Sequence, residues 1–312
     1  MKRFFLASTL VLGSLAAPAF AGVSPILSPQ ELDSLRTAAH VRVIDIRPEA
    51  DYAKNHIPGA VSAPYAAWRG PAHNPGLLPP LTELAKLVQK LGLDENTHAV
   101  VVSSGDTTTD FGAAARVYWT LKYLGLPQLS VLNGGMQSWA AAGLGQTPER
   151  PEIAASRYEP VLNEKIFATR NDVLQQIDNP RARLVDARPT AFFEGKTKAP
   201  TASTPGTIRN AVNIEHSVWF KPGTNEVVSA EEARKIAEQR FPELVDDTIA
   251  FCNTGHWAAT DWFALSELAG LTNVRMYPES LAEWTNTTEA LPMDNTPGRG
   301  TQLLEKLKNV LN

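Results

Sequence analysis

The sequence is poorest in cysteine, with one, Cys252, in 312 residues. One thiol cannot form an internal disulfide, so no disulfide framework holds this chain together. There is no basic block, and the formal net charge is −4, which argues against nucleic acid as a partner and against an electrostatic membrane anchor. After the N-terminus no run reaches the roughly 18 consecutive apolar residues that a membrane span needs. The six histidines show no ligand spacing with Cys, Asp or Glu, so no metal site is expected. No glycine-rich loop ends in Lys-Ser/Thr, which excludes the common phosphate loop.

What is present begins with an export signal. Lys2 and Arg3 precede an apolar run over residues 4–15, and Ala19-Phe20-Ala21 offers a small-x-small cleavage site. This is the layout of a secretory signal peptide over residues 1–21, implying a periplasmic or secreted protein with no membrane attachment after cleavage. Losing Lys2 and Arg3 and no acid takes the formal charge from −4 to −6. A lone thiol in an oxidising compartment is either a small buried hydrophobe or a group with chemistry to do.

The rest of the chain repeats itself. Val43-Ile44-Asp45-Ile46-Arg47-Pro48 is matched by Leu184-Val185-Asp186-Ala187-Arg188-Pro189. His56-Ile57-Pro58-Gly59-Ala60-Val61 is matched by Thr207-Ile208-Arg209-Asn210-Ala211-Val212, and Trp68 by Trp219. An apolar strand then meets a small-residue loop, Ser103-Ser104-Gly105 in one half and Cys252-Asn253-Thr254-Gly255 in the other. Each loop opens a helical pattern ending at Gly125 or Gly270. A short strand follows, and then Met136 with Trp139, or Leu281 with Trp284. Apolar strands alternating with amphipathic segments such as residues 81–91 and 230–239 predict an α/β fold of βαβ units around parallel sheets flanked by helices. The repeat is too long for a solenoid unit. It predicts two tandem domains, residues 22–146 and 166–312, joined by a Pro-rich linker over 147–165 and closed by a helix over 301–312.

Cys252 falls at the carboxyl end of a strand, where parallel sheets place their sites. Ala258, Trp262, Leu265 and Ala269 give the next segment one apolar helical face. Gly255 lets Cys252-Asn253-Thr254-Gly255-His256-Trp257 curl so that successive N–H groups face an anion and favour a thiolate. The matching loop in the first half has Ser103 and Ser104 and no cysteine, as expected of one active and one structural copy.

These motifs resemble the two-domain rhodanese family, the thiosulfate and 3-mercaptopyruvate sulfurtransferases. The resemblance rests on the two Asp-x-Arg pairs, His56-Ile57-Pro58-Gly59-Ala60, Asn133-Gly134-Gly135-Met136 with Trp139, and the Cys-x-x-Gly loop, and it covers nearly all of the chain beyond the signal. It implies two rhodanese-like domains, the first inactive and the second catalytic, with no cofactor. It also implies a small-molecule sulfur donor, a cyanide or thiol acceptor, and a ping-pong cycle through a Cys252 persulfide. The expected substrate contacts are Asn253, Thr254, Gly255, His256, Trp257 and Arg188.

Two departures qualify the donor. Thiosulfate-using relatives carry basic residues after the cysteine and mercaptopyruvate-using ones carry small polar residues, whereas this loop has no fixed charge. Phe192 stands where relatives often place a substrate-binding arginine. The missing positive charge is therefore sought at His256, Arg188, Arg209, Lys196 or Lys198, although Asp186 and Arg188 also read as a scaffold pair. Three alternatives to thiosulfate transfer follow: mercaptopyruvate as donor, a non-catalytic persulfide carrier, and a phosphatase on a related scaffold. The last needs an arginine after five intervening residues, and position 258 is Ala.

Overall fold

The computed structural model describes residues 23–298 except 242 and 244. The signal segment and the expected helix over 301–312 lie outside the described residues.

The first half runs β1 (Ile26–Leu27), α1 (Pro29–Leu35), β2 (Val41–Asp45), α2 (Glu49–Lys54), β3 (Val61–Ser62), a 3-10 turn at Tyr65–Trp68, α3 (Leu81–Lys90), β4 (His98–Val102), α4 (Thr108–Tyr123), β5 (Leu129–Leu132) and α5 (Gly135–Ala141). Its five strands form a parallel sheet in the order β1-β5-β4-β2-β3. Every residue of the central strand β4 is buried, as befits a strand covered on both faces.

The second half repeats the plan with α6 (Arg170–Gln176), β6 (Ala182–Asp186), α7 (Thr190–Phe193), β7 (Thr207–Ile208), β8 (Val212–Asn213), a 3-10 turn at His216–Trp219, α8 (Ala230–Arg240), β9 (Asp247–Phe251), α9 (Trp257–Phe263), a π turn at Ala264–Leu268, β10 (Val274–Met276), α10 (Ser280–Trp284) and β11 (Met293–Asp294). Its parallel sheet has the order β10-β9-β6-β8. The place of β1 is taken by a single parallel bridge from Phe167 to Met276. The antiparallel pair β11 with β7 is matched in the first half by a single antiparallel bridge between His56 and Thr147.

The repeat extends to the caps. Ser28 with Glu31 and Thr169 with Asp172 form capping boxes that satisfy orphan amides at the start of the first helix of each half. After each Asp-x-Arg, Pro48 or Pro189 holds φ near −50° and launches the next short helix.

One apolar cluster runs through both halves, because α4 and α9 pack against each other across the divide. Phe111 sits edge-on to Phe263 at 5.3 Å and to Phe220 at 5.8 Å, and Tyr118 sits edge-on to Phe263 at 5.0 Å. Each such ring contributes roughly 1.5–3 kcal/mol by burial. A polar knot closes the contact, with Lys122 Nζ and the Tyr118 hydroxyl both donating to Glu267 Oε2 at 2.6 Å. This second wall changes the reading of α9. The sequence predicts one apolar face, yet all of Ala258 to Phe263 is buried, between its own sheet and the first domain.

Candidate active site

Cys252 leaves the end of β9 with its side chain buried. The first turn of α10 fixes the loop from one side. The Ser280 hydroxyl accepts from the Cys252 amide at 3.0 Å, Leu281 N donates to Cys252 O at 3.1 Å and Ala282 N to Asn253 O at 2.9 Å. Ser280 adopts φ +52°, a left-handed conformation unusual for a non-glycine residue and of the kind that clusters at functional sites. The first half makes the same pair of main-chain bonds, Met136 N to Ser103 O and Gln137 N to Ser104 O, which aligns Cys252 with Ser103.

From the other side the loop is held by the first domain. Arg69 Nη2 donates to Thr254 O at 2.9 Å, and Arg116 Nη1 donates to Gly255 O at 3.2 Å. The carbonyls of residues 252–255 thus all point at protein donors. Among the described residues, the amides of residues 253–257 donate to no protein acceptor. Gly255, at φ +69°, makes the reversal that separates carbonyls from amides. A Cβ there would lie 2.2 Å from Arg116 Nη1 and 2.4 Å from Pro278 O, so glycine is required by space as well as by conformation. Consecutive free amides beside a buried sulfur form a cradle for negative charge.

His256 is not the cation that the loop lacks. Its Nε2 donates to Thr109 O at 2.8 Å and its Nδ1 accepts from the Tyr65 hydroxyl at 3.0 Å. Both nitrogens are occupied in the neutral tautomer. Burial at the domain interface, with Arg69 nearby, pushes its pKa down to about 3. His256 is an interface residue whose ring supplies no positive charge to the loop, while its amide belongs to the row that meets no acceptor among the described residues.

Arg188 is likewise engaged, in the scaffold pair with Asp186 that the sequence suggests. It is buried, with Nε and Nη2 on Asp186 (2.6 Å at the shortest), Nη2 also on Gly206 O at 2.7 Å, and Nη1 reaching Asn253 Oδ1 at 3.4 Å. Arg47 makes the same fork onto Asp45 and reaches Asn55 O in the first half. Arg188 therefore braces the loop through Asn253. The other candidate cations are engaged elsewhere: Arg209 pairs with Asp178, Lys196 with Glu194, and Lys198 donates to Ala202 O. Trp257 stacks on His216 at 4.9 Å and meets Phe192 edge-on at 6.0 Å. Phe192, standing in place of an arginine, thus belongs to an aromatic cluster beside the loop.

The cations that the sequence reading missed come from the first domain. Arg116 lies in α4 with its side chain fully buried, donating also to Gly76 O at 2.7 Å. Burial pushes its pKa down to about 9, so it stays charged at neutral pH, and it interacts electrostatically with Cys252. Arg69 also donates to the Tyr65 hydroxyl at 2.9 Å, so Arg69, Tyr65 and His256 form a chain across the interface. One signal was available: α4 is apolar nearly all round and has an arginine at its centre, which a buried helix tolerates only with partners.

The architecture defines a tandem α/β protein in which a single buried cysteine heads an amide-lined loop on the second domain. The rhodanese-like domain family matches the chain twice, over residues 28–142 and 169–287. The chain belongs to the rhodanese-like domain family. It is 32% identical over 260 residues to the sulfur carrier protein TtuD of Thermus thermophilus, covering 79% of this chain and 88% of that relative. It is 33% identical over 239 residues to the thiosulfate sulfurtransferase of Bos taurus, covering 75% and 78%. In fold it resembles the 3-mercaptopyruvate sulfotransferase SseA of Escherichia coli, with a TM-score of 0.71 at 22% identity over 83% of this chain and 99% of that one.

Proposed function

We propose that this sulfurtransferase moves a sulfane sulfur from thiosulfate or a related donor to a thiophilic acceptor through a persulfide on Cys252. The observation that carries the reading is the buried sulfur of Cys252 at the head of a loop whose amides 253–257 have no protein acceptor among the described residues. The Cys252 thiolate attacks the outer sulfur of thiosulfate. The S–S bond breaks and sulfite leaves with the electron pair. Cyanide or a thiolate then attacks the outer sulfur of the persulfide, and the Cys252 thiolate is released. Loop amides are suited to both the thiolate and the anionic persulfide.

Names of relatives support the class of reaction, since proteins 33% identical to this chain include a thiosulfate sulfurtransferase. A second reading is favoured by the relative named a sulfur carrier. In it the same persulfide passes to a protein thiol, with little turnover on small acceptors. The N-terminal pattern of Lys2, Arg3 and the apolar run supports export to the periplasm or beyond. A donor panel on the chain lacking residues 1–21 tests these readings. Thiocyanate formed from thiosulfate and cyanide supports the first. No thiocyanate from thiosulfate or from mercaptopyruvate, with a stable gain of one sulfur on Cys252, leaves the carrier. No sulfur on Cys252 from any donor overturns both.

A further inference from the structure

The two domains clamp each other's loops, and the two clamps differ in charge. In the register set by α5 and α10, Gly105 and Asp106 correspond to Thr254 and Gly255. The carbonyls of Gly105 and Asp106 both accept from Asn225 Nδ2 of the second domain, at 2.9 Å each. Those of Thr254 and Gly255 accept from Arg69 and Arg116 of the first domain. A neutral amide therefore suffices to hold such a loop. On the cysteine side the same task is given to two guanidiniums, one fully buried with its Nε unpartnered. Burying a cation for a job that an asparagine does elsewhere makes sense if the charge itself is used.

We infer that the domain without a cysteine is part of the active site: Arg116 and Arg69 are positioning residues that hold the Cys252 loop with its amides facing the sulfur and supply the positive field that stabilises the Cys252 thiolate. Their charge replaces the basic residues absent from the loop itself, and because it comes from behind the loop it leaves the amides free. Tyr65 and Arg116 of the first domain interact electrostatically with Cys252, and the charged and titratable groups next to them or to the loop are Arg69 on the first domain and the Asp186–Arg188 pair, His256, Asp261 and Glu279 on the second. Of these, Asp186 is paired with Arg188 and His256 is neutral, while burial raises the pKa of Glu279 and holds that of Asp261 well above the usual carboxylate range. Neither Arg69 nor Arg116 forms an ion pair with a carboxylate among the described residues, although Glu279 interacts electrostatically with Arg116.

The inference rests on Cys252 being the nucleophile, so the test reads the thiol and not sulfur transfer. The rate of iodoacetamide alkylation of Cys252 is followed from pH 5 to 10 in the full chain, its sole cysteine. Arg69→Met and Arg116→Met are each expected to slow alkylation roughly tenfold at a pH below the midpoint and to move the midpoint upward by about one unit. Arg116→Lys, which keeps the charge, is expected to restore most of the midpoint. Asn225→Ala, which loosens the opposite clamp, is expected to leave it in place. Arg69 is only partly buried, so Arg69→Met keeps the test open should Arg116→Met fail to fold. A folded Arg69→Met protein with the parent midpoint, or a midpoint in Arg116→Lys that stays as high as in Arg116→Met, overturns the inference. Because alkylation needs no donor, loss of sulfur transfer with these shifts present would reject the functional reading and leave this one standing.

Discussion

Tyr65 donates its phenol hydrogen to Nδ1 of His256 across the domain interface, at 3.0 Å, while the other nitrogen of that ring donates to Thr109 O. The ring is held neutral, with its pKa pushed down to about 3 by burial and by Arg69 nearby. An unfolded chain binds that proton near pH 6.5, and the folded one does not. The stability that His256 contributes is therefore full above about pH 6.5 and is lost as pH falls toward 3. Urea unfolding at pH 7.5 and at pH 5 should show the parent losing more stability on acidification than His256→Gln. Sulfur transfer should show no ionisation of His256 between pH 5 and 8.

Asp261 predicts the opposite slope. It lies fully buried in α9, accepts from Trp219 Nε1 at 2.9 Å through Oδ1, and among the described residues has no partner at Oδ2. Burial holds its pKa well above the usual carboxylate range. The folded state then binds the proton more tightly than the unfolded state, so stability falls as pH rises from the unfolded value near 3.8 toward the folded one. Asp261→Asn keeps the acceptor for Trp219 and removes the titration. It should be more stable than the parent at pH 8, with the difference shrinking by pH 4, as read by urea midpoints.

Gly255→Ala should destabilise the protein by about 1–3 kcal/mol and cut sulfur transfer at least tenfold, because an L side chain at positive φ is strained and its Cβ would strike Arg116 and Pro278 O. Gly143→Ala is the control. It has the same φ of +69° with nothing within 4 Å of the added carbon, so it should show the conformational cost alone and retain transfer. Equal losses in the two variants would contradict the steric argument.

The legible parts of this molecule were local in sequence. Asp-x-Arg at two strand ends, glycine after the cysteine loop and alternating βα patterning depend on neighbours a few residues apart, and the Asp186–Arg188 pair needs only two. The engagement of the His256 ring is not legible locally because its partners, Tyr65 and Thr109, lie 191 and 147 residues away. Arg116 was missed for the same reason: it meets Gly255 across 139 residues, through a domain packing that periodicity does not encode. The expected one-sided helix after Cys252 is buried on all sides over Ala258 to Phe263 because the duplicated partner supplies its second wall.

In the proposed cycle sulfur travels on Cys252. This is tested most directly by intact-mass analysis of the chain lacking residues 1–21, incubated with thiosulfate and then chased with cyanide. The expected result is a gain of one sulfur that the chase removes as thiocyanate, with Cys252→Ser folded to the same thermal midpoint, unlabelled and inactive. A Cys252→Ser protein that still takes up sulfur, or forms thiocyanate at near the parent rate, would contradict it.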